Sequence, residues 1–94
     1  MGELDGEWTV RRVSGLLPPL YGVRKRIAGG RGATALGPVS AGFDVLGREL
    51  RYRGLFTGLV DALEPAEAGW RGVARYRGRT LGRFAMTRVT SARG

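Results

Sequence analysis

Few side chains in this sequence are suited to chemistry, because it contains neither histidine nor cysteine. The usual general base near neutral pH and the commonest metal ligands are therefore missing. Chemistry would rest on carboxylates, tyrosines, hydroxyls, arginines or Lys25, the only lysine. In an extended segment Lys25 shares a face with Tyr21, Val23 and Ile27. It would serve there as an anion anchor or an amine nucleophile, or it would extend to solvent from a strand end.

Asp61 is the second candidate, since it lies inside the apolar stretch 59–63. A carboxylate in such surroundings acts as a general acid or base, or it forms a salt bridge to an inward-facing arginine or lysine. Tyr52 and Tyr76 would donate hydrogen bonds to a ligand carbonyl, or they are core aromatics with the hydroxyl at a rim. Asp61, Lys25 and Tyr52 are thus the candidates for catalysis, although the sequence does not establish that a reaction takes place.

Short extended segments punctuated by glycine must position these side chains. Eight such segments are predicted, at 8–13, 21–28, 33–36, 40–46, 48–53, 55–63, 70–77 and 80–90. Close spacing with Gly-rich turns favours an antiparallel meander over βαβ units. We therefore predict one all-β domain over residues 1–94, built as a small antiparallel up-and-down β-barrel of about eight strands.

The period-two alternation of strands predicts which side chains face the barrel interior. Most arginines fall outside, whereas Lys25, Tyr52, Asp61, Tyr76 and Arg88 fall inside. Burying a charge costs several kcal/mol unless it is paired, so these inward polar groups are either paired or used. The predicted ligand-binding residues are Tyr21, Lys25, Phe43, Tyr52, Asp61, Trp70, Tyr76, Phe84 and Met86.

The net charge is +8, and all basic residues except Lys25 are arginines. This skew is typical of GC-rich coding, as in bacterial genomes, but the charge also permits an anionic partner. By the strand alternation, tyrosines and arginines lie on opposite faces of the sheet and so do not form one stacking platform. This argues against nucleic acid as the main partner. The sequence shows no metal-binding cluster, phosphate-binding loop or nucleophile triad, so we expect no metal or cofactor.

No apolar run approaches the roughly 20 residues of a membrane-spanning helix. The acidic start, Met1 to Asp5, lacks a signal-peptide pattern. These features predict a cytoplasmic protein without membrane contact, as a monomer or a homodimer.

Two points in the chain resemble a known family. Gly6-Glu7-Trp8 is similar to the Gly-x-Trp motif of lipocalins and the wider calycin group. The resemblance implies a closed antiparallel barrel that binds small, often apolar molecules. It also implies a structural latch, in which Arg88 on the last strand packs across Trp8 near the closed end. This chain is much shorter than a typical lipocalin and has no cysteines.

The leading functional prediction is therefore binding of a small, partly apolar molecule, with a carboxylate or carbonyl, in the barrel interior. One alternative is a cyclase of natural-product precursors on the same small barrel, since such a site needs mainly shape, exclusion of water and one or two polar groups. Another is a basic module that binds nucleic acid or another anion.

Overall fold

The structure, a computed structural model, describes residues 2–15 and 22–89 and confirms the predicted fold. Eight strands follow one another in chain order and close into an antiparallel up-and-down barrel through pairing of the first strand with the last. A 3₁₀ turn at Gly54–Phe56 joins the fifth and sixth strands. The strands are β1 Gly6–Gly15, β2 Arg24–Ala28, β3 Arg31–Leu36, β4 Val39–Leu46, β5 Glu49–Tyr52, β6 Leu59–Ala66, β7 Gly69–Tyr76 and β8 Arg79–Arg88.

Tight turns connect most neighbouring strands. Gly29 and Gly30 between β2 and β3 both have positive φ angles, 61° and 81°. Two such residues form the mirror-image turn whose twist matches that of the paired strands. Because the strands run alternately up and down, the turns divide between two ends. The lower end carries the N-terminal segment and the turns at 29–30, 47–48 and 67–68, and the upper end carries those at 37–38, 53–58 and 77–78.

Strand boundaries differ from the prediction around the 3₁₀ turn. The predicted segment 55–63 starts within that turn, and β6 begins only at Leu59. At its other end β6 continues to Ala66, because Pro65 and Ala66 still pair with Trp70 and Gly69 of β7. The predicted start of the second strand, at Tyr21, lies outside the described residues.

The lower end of the barrel is closed around Trp8. Its indole Nε1 donates to the Leu4 carbonyl at 2.9 Å, and the Arg88 guanidinium lies 4.3 Å from the centroid of the Trp8 ring. Arg88 also donates to the Asp5 carbonyl at 2.9 Å. A Cβ on Gly6 would lie 2.2 Å from Arg88 Nη1, so a side chain at this position would displace the guanidinium. The packing of Arg88 on Trp8 is therefore present, whereas Arg88 itself is exposed at the barrel end instead of facing the interior.

Two phenylalanine rings pack against the backbone of neighbouring strands in the core. Phe43 pairs with Gly32 of β3, and Phe84 pairs with Gly72 of β7. A Cβ on either glycine would lie within 2.6 Å of the facing ring. The glycines thus let both rings turn inward across the sheet, where they flank the polar cluster described below.

The described part of the upper end of the barrel is rich in apolar side chains. Ala41, Leu59 and Leu81 are partly buried there against the core. Beyond them several large apolar side chains remain exposed, namely Val13, Leu36, Val39, Leu55 and Phe56. At the lower end Leu46 is also exposed, so the exposed apolar side chains lie mainly, but not entirely, at the upper end.

Candidate functional site

A buried polar cluster crosses the barrel interior. Lys25 Nζ donates to Thr34 Oγ1 and to the Tyr52 hydroxyl, both at 2.6 Å, and forms an ion pair with Asp61 Oδ2 at 3.1 Å. The Tyr52 hydroxyl donates to the same Asp61 oxygen at 3.1 Å. Lys25 and Asp61 are each only 3% exposed, and Tyr52 is 7% exposed. The cluster is thus an ion pair in the core, bridged by two hydroxyls.

Strand register brings these four side chains together. Lys25 of β2 and Thr34 of β3 are direct cross-strand partners, which accounts for their short contact. Asp61 of β6 pairs with Leu50, two residues before Tyr52 on β5, so Tyr52 and Asp61 are diagonal neighbours on the inner face. The barrel closure then places β2 across the interior from β6, and the Lys25–Asp61 contact spans the core.

The protons of the cluster are almost fully committed. An ammonium has three N–H donors, and Lys25 directs them to Thr34, Tyr52 and Asp61. Because the Tyr52 proton points to Asp61, the 2.6 Å contact between the two hydroxyls requires Thr34 to donate to Tyr52. Lys25 therefore has no free lone pair with which to act as a nucleophile in this arrangement.

One strong acceptor in the cluster is left over. Asp61 Oδ2 receives both Lys25 and Tyr52, whereas Oδ1 has no hydrogen-bond partner within the described residues. In the same part of the chain no fully buried polar side-chain atom lacks a partner. A hydrogen-bond donor would be the natural complement of Oδ1.

Aromatic rings surround the ammonium. The Lys25 Nζ lies 5.5 Å from the ring centroids of Phe43 and Phe84 and 5.3 Å from that of Tyr52. Burial lowers the pKa of Lys25 from its ordinary value, and the neighbouring Asp61 charge opposes this effect. Burial and the Asp61 charge together raise the pKa of Tyr52 well above its ordinary value. Tyr52 is therefore a neutral donor at any physiological pH.

The structure unites three of the predicted polar residues and separates the others. Lys25, Tyr52 and Asp61 form the cluster, and the interpretation of Asp61 as a partner in a salt bridge is confirmed. The alternative of Lys25 extending to solvent is wrong, since burial and pairing hold it inside.

Tyr76 was predicted to face the interior, but it is 40% exposed at the upper end. Tyr76 is the last residue of β7, beside the turn at 77–78, so its side chain lies at the rim of the barrel and not in the core.

The apolar residues predicted to form the binding wall are all in the core. Phe43 and Phe84 contact the ammonium, whereas Trp70 and Met86 pair with each other across β7 and β8 nearer the lower end. Arg48 covers Trp70 there, with its guanidinium 5.2 Å from the centroid of the ring. Tyr21 lies outside the described residues.

Thr34 is the cluster residue that the sequence reasoning missed. Its segment, Ala33-Thr34-Ala35, has small side chains, and no apolar alternation there indicates which residues face the barrel interior. The only signal is its register partner, Lys25, which becomes visible once the turn at Gly29-Gly30 is used to align β2 with β3.

Comparisons with known proteins add no relative. No family model matches the chain, and no curated protein or solved structure shows significant similarity to it. The described residues contain no group of three or more side chains suited to hold a metal ion. Nor do they include a helix long and apolar enough to cross a membrane.

Proposed function

We propose that the protein binds a small, partly apolar molecule at the upper end of the barrel, above the Lys25–Asp61 cluster. The observation that carries this proposal is the uncommitted Asp61 Oδ1 in an otherwise saturated buried cluster. Replacing a buried ion pair with apolar residues is often neutral or stabilising. A core that keeps the pair, with one carboxylate oxygen that has no partner among the described residues, is therefore consistent with a binding role.

An opening in the sheet supports the same location. β5 and β6 pair only as far as Arg51 and Val60, and above that point they separate around the 3₁₀ turn. A groove of about 440 Å³ lies at this gap, and its lining includes Tyr52 and Leu59 together with the exposed Arg51 and Arg75 on the outer surface. Such a volume suits a small organic molecule. Leu59 precedes Asp61 by two residues on the same strand, so the groove lies next to the cluster.

The ligand chemistry follows from the proton arrangement. A ligand carboxylate or carbonyl would need a free donor, but every Lys25 proton is engaged. A ligand hydroxyl or N–H would instead donate to Asp61 Oδ1 without breaking any existing hydrogen bond. Its apolar part would contact Leu59 and the partly buried Leu81. We therefore favour an apolar molecule with a donor group over the carboxylate or carbonyl ligand that the sequence suggests.

A matched pair of probes tests the proposal. We would titrate the protein with a naphthol and with its methyl ether and follow amide chemical shifts by NMR. A hydrogen bond to a charged group is worth about 1.5–3 kcal/mol, so the naphthol should bind roughly 10- to 100-fold more tightly. The shifts should centre on β5, β6 and the 3₁₀ turn. Equal affinity for both probes, or shifts centred on the lower end, would contradict the proposal.

A double variant provides the control. Lys25→Met combined with Asp61→Val removes the acceptor while keeping the core filled, and it should lose the preference for the naphthol. An Arg83→Ala variant, on the outside of β8 and not part of this groove, should keep it. Each probe is recovered afterwards and its mass measured. A probe recovered with unchanged mass supports binding, whereas a probe converted to a product would support the cyclase alternative.

A further inference from the structure

Positive charge is unevenly distributed over the outside of the barrel. Most carboxylates are paired with cations on the side formed by β2 to β6 and around the lower end. The ion pairs are Arg24–Glu7, Arg26–Glu7, Lys25–Asp61, Arg48–Glu3, Arg51–Glu49 and Arg53–Asp44. On β7, β8 and the adjoining part of β1, by contrast, the strands carry arginines and no carboxylate. The excess charge therefore gathers on one side.

Four arginines define this side, which we call the arginine face. They are Arg11 of β1, Arg71 and Arg75 of β7, and Arg83 of β8, and all are exposed. In the described part of the chain none of them makes a hydrogen bond or an ion pair. Their guanidinium groups are thus fully available to an external partner.

Strand register gathers three of these arginines around one methyl group. Ala85 of β8 pairs with Arg71 on one side and with Arg11 on the other. Strands lie about 4.8 Å apart, so the Cα atoms of Arg11 and Arg71 are roughly 10 Å apart with Ala85 between them. Arg83 lies two residues along β8, opposite Val73. A groove of about 580 Å³ follows this arrangement, with Arg11, Arg71 and Arg83 in its lining.

The chemistry of the arginine face matches a row of phosphates. Guanidinium groups bind phosphate oxygens with two parallel hydrogen bonds. Arg75 lies four residues beyond Arg71, about 13 Å along the strand, so the cations extend well past a single small anion. The one aromatic residue in the groove lining, Phe84, is buried in the core. The face therefore offers contacts to phosphates and no platform on which exposed bases would stack.

We propose that the arginine face binds the phosphate backbone of duplex nucleic acid without regard to sequence. A duplex presents the denser charge, about one per 1.7 Å of axis, and hides the bases that a single strand would offer for stacking. Glu64 of β6, the cross-strand partner of Arg71, is the one carboxylate in the groove lining, where three arginines outnumber it. This site is separate from the barrel interior and does not depend on the small-molecule proposal.

Salt-dependent binding to a labelled DNA duplex tests the proposal. Four phosphate contacts predict a slope of about −3.6 for log K against log salt, measured between about 50 and 200 mM. Arg71→Ala with Arg83→Ala should reduce this slope by about 1.8 and weaken binding equally for duplexes of unrelated sequence. The matched control is Arg51→Ala with Arg53→Ala, which changes the net charge equally but removes ion-paired arginines. It should keep nearly the full slope.

Each other outcome would overturn the proposal. Equal losses in both double variants would mean that net charge alone drives the binding. Tighter binding of a single strand than of the duplex would contradict the absence of base stacking. Equally tight binding of polyglutamate would point to an acidic protein as the partner. Thermal unfolding of both double variants should stay within a few degrees of that of the wild type, because all four substitutions are on the surface.

Discussion

Replacing the buried ion pair in steps gives the sharpest test of how the core is built. The variants are Lys25→Met, Asp61→Val and the two together. Each single change leaves the other charge buried without its ionic partner. The double change removes both charges, and the 2.6 Å contact between Thr34 and Tyr52 keeps their hydroxyls hydrogen-bonded. The free energy of unfolding should therefore fall in both single variants and recover in the double variant.

The size of the loss follows from the burial of the cluster. Breaking a buried pair by removing one partner costs about 3–5 kcal/mol. In Asp61→Val the lysine can also lose its proton, and neutralising an amine of ordinary pKa at pH 7 costs about 4.6 kcal/mol. A buried unpaired charge and a neutralised lysine therefore cost similar amounts of free energy. Either cost is a large share of the roughly 5–15 kcal/mol that stabilises a domain. The double variant should lie between no change and about 4 kcal/mol more stable than the wild type.

Urea unfolding monitored by tryptophan fluorescence would measure all four proteins. Trp8 and Trp70 are both buried, so their emission reports the opening of the core. We expect a coupling energy of at least about 6 kcal/mol between the two substitutions, since each single loss is about 3 kcal/mol or more and the double variant loses nothing. If Asp61→Val holds a neutral Lys25, its stability should also rise by about 1.4 kcal/mol per pH unit from pH 7 towards 10, since only the unfolded chain binds the proton.

One result would refute this reasoning. If the double variant were as unstable as the single variants, the ion pair would be stabilising in itself and an apolar core would not replace it. Single variants that fail to fold while the double variant folds would support the reasoning as strongly as measured values.

The remaining predictions concern pH and the lower end. The free energy of unfolding of the wild type should rise with pH between the lowered pKa of folded Lys25 and about 10.4, because only the unfolded chain keeps the lysine proton in that range. It should fall above about pH 10, because Tyr52 ionises there only in the unfolded chain. Urea unfolding at several pH values would measure both trends, and Tyr52→Phe should abolish the fall. Gly6→Ala should cost more than about 1 kcal/mol, because φ is +135° and the new Cβ would meet Arg88. Arg88→Ala should cost roughly 0.5–2 kcal/mol through the lost contact with Trp8, but less in the Gly6→Ala background; strictly additive losses in thermal unfolding would contradict the close packing.

The closed barrel was predictable because two simple signals agree along the chain. Glycines mark nearly every turn, and apolar side chains alternate with arginines between them. That alternation also placed Lys25, Tyr52 and Asp61 inside, where the structure has them. Inward direction is a local property of each strand, so one sequence suffices to predict it wherever the strand is regular.

What sequence reasoning did not supply depends on longer-range geometry. Tyr76 is exposed because it is the last residue of β7, and the alternation predicts the direction of a side chain but not how far the core extends along the strand. The pairing of Lys25 with Asp61 joins strands far apart in the sheet, so it follows from the closure of the barrel and not from either segment. The arginine face likewise emerged only from register, since Arg11 and Arg71 are distant in sequence and meet at Ala85.

The two proposed sites should respond independently to substitution, because each strand presents its two faces to different surroundings. On β8, Phe84 faces the ammonium of Lys25, while the neighbouring Arg83 faces solvent. The Lys25→Met and Asp61→Val double variant should therefore keep full duplex binding with an unchanged salt slope. The Arg71→Ala and Arg83→Ala variant should keep its preference for the naphthol. Loss of both activities in either variant would mean that the barrel wall transmits changes between its faces, and the two sites would then have to be treated as one.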